Sequence, residues 1–470
     1  MDDTMDKDLD QDKDQGSLSR RDFIKAAGVG AVAAGLGANI IIPGRARAAK
    51  KQLKILQWVH FVPPYDEWFN KKYTKEWGDK NDTEVIVDNI GLAGINARAA
   101  AEISAQKGHD LFMFNWPPPS FEEQAIDHKE IYQELEKKFG KPIDLGIKST
   151  YNPKTKKYFA FSPSFVPDPV NYRRDLFGGV GMPKGPASWD DVRVAGAKIK
   201  KKFGNPIGVG LSQEIDTGMA MRTIMYSWGS HEQDEAGNLA LNSKQTLDAL
   251  KFVKALFEEA MTPEVFTWDA SSNNRAIVSG KVSLVLNAIS TTRTAEKDNP
   301  KVISPATKKE IELKREIELT KALKGPVRAI GLEHVMQCYV IWKFAENIQG
   351  AKKFLVDYTT DFRQGFVAGE YYDFPCFPKT VPDLKQLIAK DAKASPPDKY
   401  KVLEDVLEWA TNVGYPGYST AAIDEIFGTW VINTMFAKAA SGAASPEDAL
   451  KEADAACKRI FAKWKEKGLV

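Results

Sequence analysis

The chain has 470 residues and a formal net charge of +2. That length exceeds what one ordinary hydrophobic core organises and predicts two domains. The near-neutral charge removes the electrostatic case for nucleic acid or an anionic membrane as a partner.

Residues 1–18 are Asp-rich with little to bury and read as disordered. The run S-R-R-D-F-I-K follows, with Arg20 and Arg21 ahead of Phe23, Ile24 and Lys25. It matches the twin-arginine export signal, which hands the chain to the export machinery for folded proteins. Ala26 to Ile42 is mildly apolar, short and Gly-rich for a membrane span. Ala46-Arg47-Ala48 fits the small-x-small cleavage rule, so cleavage is expected after Ala48. With no cysteine after the apolar run, the expectation is a free protein of the periplasm.

Leu53 to Val59 reads as a first strand and Glu84 to Val87 as a second, with Asp110 to Asn115 as a third. Between them, Tyr65, Trp68, Phe69, Tyr73 and Trp77 have helical spacing, and the Ala-rich stretch Gly94 to Lys107 is helical. This alternation predicts parallel βαβ winding. Tyr158 to Val166 is an extended aromatic run. Ser188, with Asp191 three residues on, predicts a helix start running to Lys202. Helices are expected over Glu214–Trp228 and Asn242–Glu259, the second capped by Asn242. Trp268 to Asn274 is a polar loop, Arg275 to Ser279 a helical turn ended by Gly280, and Val282 to Leu286 a buried strand. That strand delivers Asn287 to its carboxyl end, where open α/β sheets hold ligands. Ala306 to Leu323 is charged on nearly every side and reads as a solvated helix or insertion. Gly331 to Trp342 is a strand, Ala345 to Tyr358 a helix, and Ile423 to Ala440 opens the last helical region. Ser445-Pro446 then starts the C-terminal helix.

In their order and spacing, P-A-S-W-D-D at Pro186, L-A-L-N-S at Leu239, V-S-G-K-V-S-L-V-L-N at Val278 and S-P-E-D-A-L at Ser445 resemble the bacterial extracellular solute-binding proteins related to maltose-binding protein. The resemblance covers residues 52–465. It implies a two-lobed α/β fold of the type II periplasmic-binding-protein kind with a ligand cleft between lobes. Lobe 1 would hold residues 49–165 and 331–390, and lobe 2 residues 166–330 and 391–470. The loops after the first and third strands would face the ligand, which makes Trp58, His60, Phe61, Asn115 and Trp116 candidate contacts. Trp228, Trp268, Arg275, Asn287, Glu333, Tyr371, Tyr372 and Tyr418 join them. The family carries Gly-Gly where this chain has Gly331-Leu332-Glu333-His334, so the second glycine is replaced, and Glu333 and His334 become candidate polar contacts to a ligand. The partners implied are a small solute, most plausibly a carbohydrate, and a membrane permease with its ATPase; the chain itself is expected to be a monomer.

Aromatic faces beside Asn, Glu and Arg suit a sugar, whose rings present flat C–H faces and a hydroxyl rim. A polyol, or a quaternary amine in an aromatic cage, uses the same residue types. An exported carbohydrate-processing enzyme is the rival from another class. It needs two carboxylates about 5–9 Å apart, for which Asp269, Glu333 and Asp373 are the candidates. Neither a nucleotide-binding nor a hydrolase motif is present. Cys338, Cys376 and Cys457 make no metal or haem pattern, and His60 lacks a ligand-spaced partner. No metal or cofactor is expected, and a Cys338–Cys376 disulfide stays open.

Overall fold

The computed structural model describes residues 51–470; the export signal with Arg20 and Arg21, and the cleavage position after Ala48, lie outside them. In chain order the strands that position the site are β1 (Lys51–Trp58), β2 (Thr83–Ile90), β3 (Leu111–Phe114), β4 (Ser164–Pro167), β5 (Val170–Arg173), β6 (Ile207–Gly208), β7 (Leu284–Leu286), β8 (Ile317–Thr320), β9 (Gly331–Met336), β10 (Cys338–Ile341), β11 (Phe374–Pro375) and β12 (Ala410–Thr411). They form three sheets, in the orders β10-β3-β1-β2, β8-β5-β7-β6 and β11-β4-β9-β12.

The first sheet is parallel across β1, β2 and β3, as the strand–helix alternation predicts, with Leu53 opposite Val85 and Ile55 opposite Leu111. β10 closes its edge in the antiparallel sense. Leu53, Ile55, Phe112 and Val340 build a first core, which the stripe Tyr65, Phe69, Tyr73 and Trp77 covers. The second sheet carries a second core of Val170, Ile207, Leu284 and Leu286, packed by α1 (Trp189–Phe203), α2 (Ile215–Ser227) and α3 (Lys244–Ala260). α1 starts with the expected capping box, Ser188 Oγ accepting from Asp191 N at 3.1 Å.

The third sheet is where the chain changes core. Val166 packs in the first core and Val170 in the second; Leu332 packs in the second and Val335 in the first; Trp409 packs in the first and Val413 in the second. Each change takes a few residues of extended chain. Main-chain groups that leave water there need partners, and the crossing strands supply them to one another: Gly331 faces Ala410, and Glu333 faces Pro167.

Several elements differ from expectation. Ala394, Tyr400, Leu403 and Val406 pack in the first core, so residues 391–409 stay with it and the change expected after 390 follows Trp409. The stretch Ala306–Leu323, expected as a solvated helix or insertion, holds Glu310–Glu312 paired antiparallel with Lys301–Ile303, one turn at Leu313–Glu316, and β8. Ile317 and Leu319 are buried on alternate positions, which is a strand's period that the charged neighbours masked. Ser243 rather than Asn242 caps α3, because the Asn242 amide reaches towards Asp454. Gln337 divides the strand expected over Gly331–Trp342 into β9 and β10, which serve different sheets. Trp430, with φ of +59°, breaks the last helical region into α5 (Ala421–Gly428) and α6 (Val431–Ser441) ahead of α7 (Pro446–Glu466). All three cysteines are free and buried. No described helix is long and apolar enough to cross a membrane.

Arg222 and Glu232 form a wholly buried ion pair at 2.5 Å inside the second core. Removing one charge strands the other in a dry interior. Glu232→Ala is expected to lower the unfolding free energy by about 3–5 kcal/mol in urea denaturation; a loss under about 1 kcal/mol would mean that water reaches Arg222.

Candidate functional site

Strand ends bring the site together. Gln57 and Trp58 finish β1, Asn115 follows β3, Asn287 follows β7, and Tyr372-Asp373 lead into β11. In doubly wound sheets the carboxyl ends of strands face the crevice, because the crossover connections pack on the faces.

The Tyr372 position is set by backbone strain. Glu370 and Tyr371 both hold left-handed conformations, with φ of +53° and +67°, which costs energy for residues with a side chain. The Glu370 carbonyl accepts from Arg293 Nε at 3.0 Å and Nη2 at 2.7 Å. Arg293, at the start of α4 (Ser290–Asp298), is itself held over the Tyr400 ring at 4.0 Å and beside Glu296 at 3.0 Å. The pinned loop places the Tyr372 ring 4.9 Å from His60 and 6.5 Å from Trp58.

His60 is locked from both sides. Its Nδ1 lies 2.9 Å from the Val62 N and 3.1 Å from the Val62 carbonyl oxygen, and its Nε2 lies 3.1 Å from Asp373 Oδ2. The Gln337 amide donates to the other Asp373 oxygen, and Ser164 Oγ donates to Gln337 at 2.8 Å. This chain of bonds holds the back of the site without using the Trp58 and Tyr372 polar tips.

From the second core, the Glu214 carboxylate caps α2 and fixes Asp216 in its first turn. Asp216 accepts from the Asn273 amide. Asp216 and Asp168 lie close enough to Tyr372 to raise its phenol, after burial and Asp373. Asn287 donates to Asn274 Oδ1, which also accepts from Thr291 at 2.8 Å. Glu333, on the crossing strand β9, accepts from the Val413 N–H at 2.9 Å; burial pushes its carboxyl up to about 8.

Buried polar atoms without a partner occur at several places among the described residues, Tyr73, Trp189 and Trp342 included, and this region holds a group of them. Gln57 Nε2, Trp58 Nε1, both polar atoms of the Asn115 amide, Glu333 Oε2 and the Tyr372 hydroxyl are buried and make no hydrogen bond within the protein. Each such atom costs about 1–3 kcal/mol unless something else supplies a partner. Here donors and acceptors collect at strand ends beside aromatic faces. Such a surface can hold a molecule rich in hydroxyls. No group of three or more His, Cys, Asp or Glu among the described residues is arranged to hold a metal ion.

A family profile, that of the bacterial extracellular solute-binding proteins, matches residues 62–362. The chain belongs to that family. Its members are binding proteins, not enzymes. A twin-arginine signal profile matches residues 17–37, and with the family it marks this solute-binding protein for export out of the cytoplasm. A solute-binding protein of Thermotoga lettingae bound with α-D-tagatose superposes with a TM-score of 0.69 at 18% identity, over 87% of this chain and 99% of that one. One of Agrobacterium radiobacter in complex with ribitol gives 0.66 at 18% identity, over 87% and 99%. These likenesses establish the type II periplasmic-binding-protein fold. A curated binding protein of Brucella abortus is 26% identical over 202 residues, 42% of this chain and 46% of its own length. The chain thus spans about half the length of the curated relatives it matches.

Within this solute-binding protein the expected contacts divide. Trp58, His60 and Tyr372 share one cluster, with Phe61 5.1 Å from Trp58. Asn115 and Glu333 contribute unpartnered atoms, and the Asn287 amide is committed to Asn274. Tyr371 faces Phe366 and Arg293, away from that cluster's ring contacts. Trp116 packs in the second core. The other placements correct the expectation. Trp228 ends α2 and packs on Phe252 at 4.4 Å, as part of the second core; its helical position could not reveal which face it takes. Arg275 is exposed and paired with Asp269 at 3.0 Å. The Tyr418 ring neighbours Tyr151, in a separate cavity of about 680 Å³ with Phe461 and Leu469. Trp268 is half-buried against Gly208 and lines a surface cavity of about 570 Å³ with Gln213 and Thr434. Asp269, Glu333 and Asp373 have separate partners in Arg275, Val413 and the His60–Gln337 pair. Sequence reasoning missed Gln57 and Arg293, which carry no local mark of their place.

Two outcomes are expected. Trp228→Ala costs about 3–5 kcal/mol of stability in chemical denaturation and leaves solute affinity of the folded fraction unchanged. Glu333 holds its proton in the folded state to about pH 8, and an unfolded glutamate loses it near pH 4–5. Its contribution is therefore complete in acid and is lost as pH rises through 8. Glu333→Gln should flatten that decline, with a gain on the order of 2–4 kcal/mol at pH 8; an unchanged pH profile of the melting temperature would show that Glu333 is hydrated.

Proposed function

We propose that this protein is the solute-binding component of an ABC importer, capturing a carbohydrate or polyol in the periplasm. The solute would bind between the two cores, and the cores would close on it about the three-stranded crossing. The closed form would then deliver it to a membrane permease driven by a separate ATPase, with the binding protein acting as a monomer. A solute favours closure only through contacts it makes in the closed state.

The observation that carries this reading is the set of buried, unpartnered polar atoms on Gln57, Trp58, Asn115 and Tyr372. A polyhydroxyl solute supplies both donors and acceptors to all of them, and the Trp58 and Tyr372 rings offer faces to its C–H groups. A quaternary amine suits the rings but leaves the Trp58 and Asn115 donors stranded. The tagatose and ribitol in two structural relatives have the polyhydroxyl chemistry that this surface asks for.

Protein starting at Ala49 should be screened by thermal shift against monosaccharides, oligosaccharides, polyols and quaternary amines. A true solute at 100 times its Kd adds about 2.7 kcal/mol of stability, and it should be recovered unchanged. Asn115→Ala should weaken that solute by roughly 10- to 100-fold in calorimetry. A panel in which only quaternary amines shift the melting, or in which the hit is turned over, would overturn the reading.

A further inference from the structure

Trp116 sits one residue beyond Asn115, yet its indole leaves the first core and enters the second. There it lies 5.1 Å from Phe427 and 6.5 Å from Trp430. Phe427 in turn carries the Arg222 guanidinium on its ring at 4.6 Å, and Trp430 is turned towards the pair by its left-handed backbone. The indole Nε1 donates to Asp424 Oδ1 at 2.9 Å. The other Asp424 oxygen accepts from the Ser120 N–H at 3.1 Å and from the Ser120 hydroxyl.

Asp424 stands in the first turn of α5, where a carboxylate ordinarily serves its own helix. Thr420 already caps that helix through the Ile423 N–H. All three side-chain hydrogen bonds of Asp424 come instead from residues 116–120, the loop that the first core sends across. A carboxylate buried for the sake of its own domain gains nothing by taking all its donors from the other one.

We propose that Asp424 is a positioning residue that clasps the Trp116–Ser120 loop of the first core onto the second and so sets the closed state of the solute site. This rests on the reading of the two cores as halves that close on a solute. The clasp is also coupled to protons. Burial holds the Asp424 carboxyl at about 6, against the pull of Ser120 and Trp116 in the other direction. Around it stand Glu425, paired with Lys463, and Arg222 paired with Glu232 behind Phe427. The Cys338 thiol is pushed well up by burial, and Glu122 on the crossing loop is turned to Asn152 and Thr155. In the open state the Asp424 carboxyl meets water and returns to the ordinary range near 4. The closed state therefore binds more protons between those values, and acid favours closing. Solute affinity should rise roughly tenfold from pH 7.5 to pH 5.

Small-angle scattering of the solute-free protein tests the clasp without any sugar. The wild type should be more compact at pH 5 than at pH 7.5. Asp424→Asn cannot take up the proton, so its compactness should be insensitive to pH. Trp116→Phe and Ser120→Ala remove one donor each while keeping the packing. They should open the protein partway, which keeps the test valid if Asp424→Asn fails to fold. Superimposable scattering curves for all four proteins at both pH values would overturn the clasp even where a sugar binds. A pH-dependent opening with no sugar bound anywhere in the panel would uphold the clasp and remove the proposed function instead.

Discussion

The rest of the molecule depends on a small sheet through which the chain passes three times. β4, β9 and β12 each carry the backbone from one hydrophobic core to the other within a few residues. A backbone that leaves one core must satisfy its N–H and C=O groups before it enters the next. These strands do so by pairing with one another. Trp58, His60 and Tyr372 come together from the end of β1 and the loop before β11, and not by nearness in sequence.

Polar burial follows the same geometry. The Ser164–Gln337–Asp373–His60 chain is fully hydrogen-bonded and lies behind the ring cluster. The atoms in front of it, on Trp58, Asn115 and Tyr372, are not. A protein interior tolerates a complete polar network and is penalised by an incomplete one. The contrast between the two sets, a few ångströms apart, is what separates supporting residues from those proposed to meet a solute. Glu333 stands between them, with one oxygen on the Val413 N–H and one without a partner, on the strand that crosses.

Two sets of long-range polar contacts differ in kind. Arg293 ties α4 to the strained 370–371 loop and to Asp391. Trp116 and Ser120 reach α5. The first is dense in charge, with Glu296, Lys399 and Tyr400 around it. The second holds Asp424, whose carboxyl burial raises to about 6.

Much of the architecture was legible in the residues. The alternation over Leu53–Asn115, the Ser188–Asp191 capping box and the export signal are local patterns, and local patterns follow from backbone geometry and side-chain reach alone. The candidate contacts were named through the family resemblance, and the structure gathers Trp58, His60 and Tyr372 into one ring cluster. Trp228 and Tyr418 pack away from it, because an aromatic at a helix end or in a loop has no sequence mark for the face it takes. Asp424 gave no signal, since a carboxylate in a first turn looks like a helix-dipole partner until its donors are seen to come from 304 residues away. The sequence by itself determined the family and most of the local elements, because these rest on periodicity, caps and motif order. Tertiary structure decided which polar atoms are left without partners, where the chain changes core, and which carboxylate joins the halves, because burial and long-range hydrogen bonding are properties of the packed chain and of no segment in it.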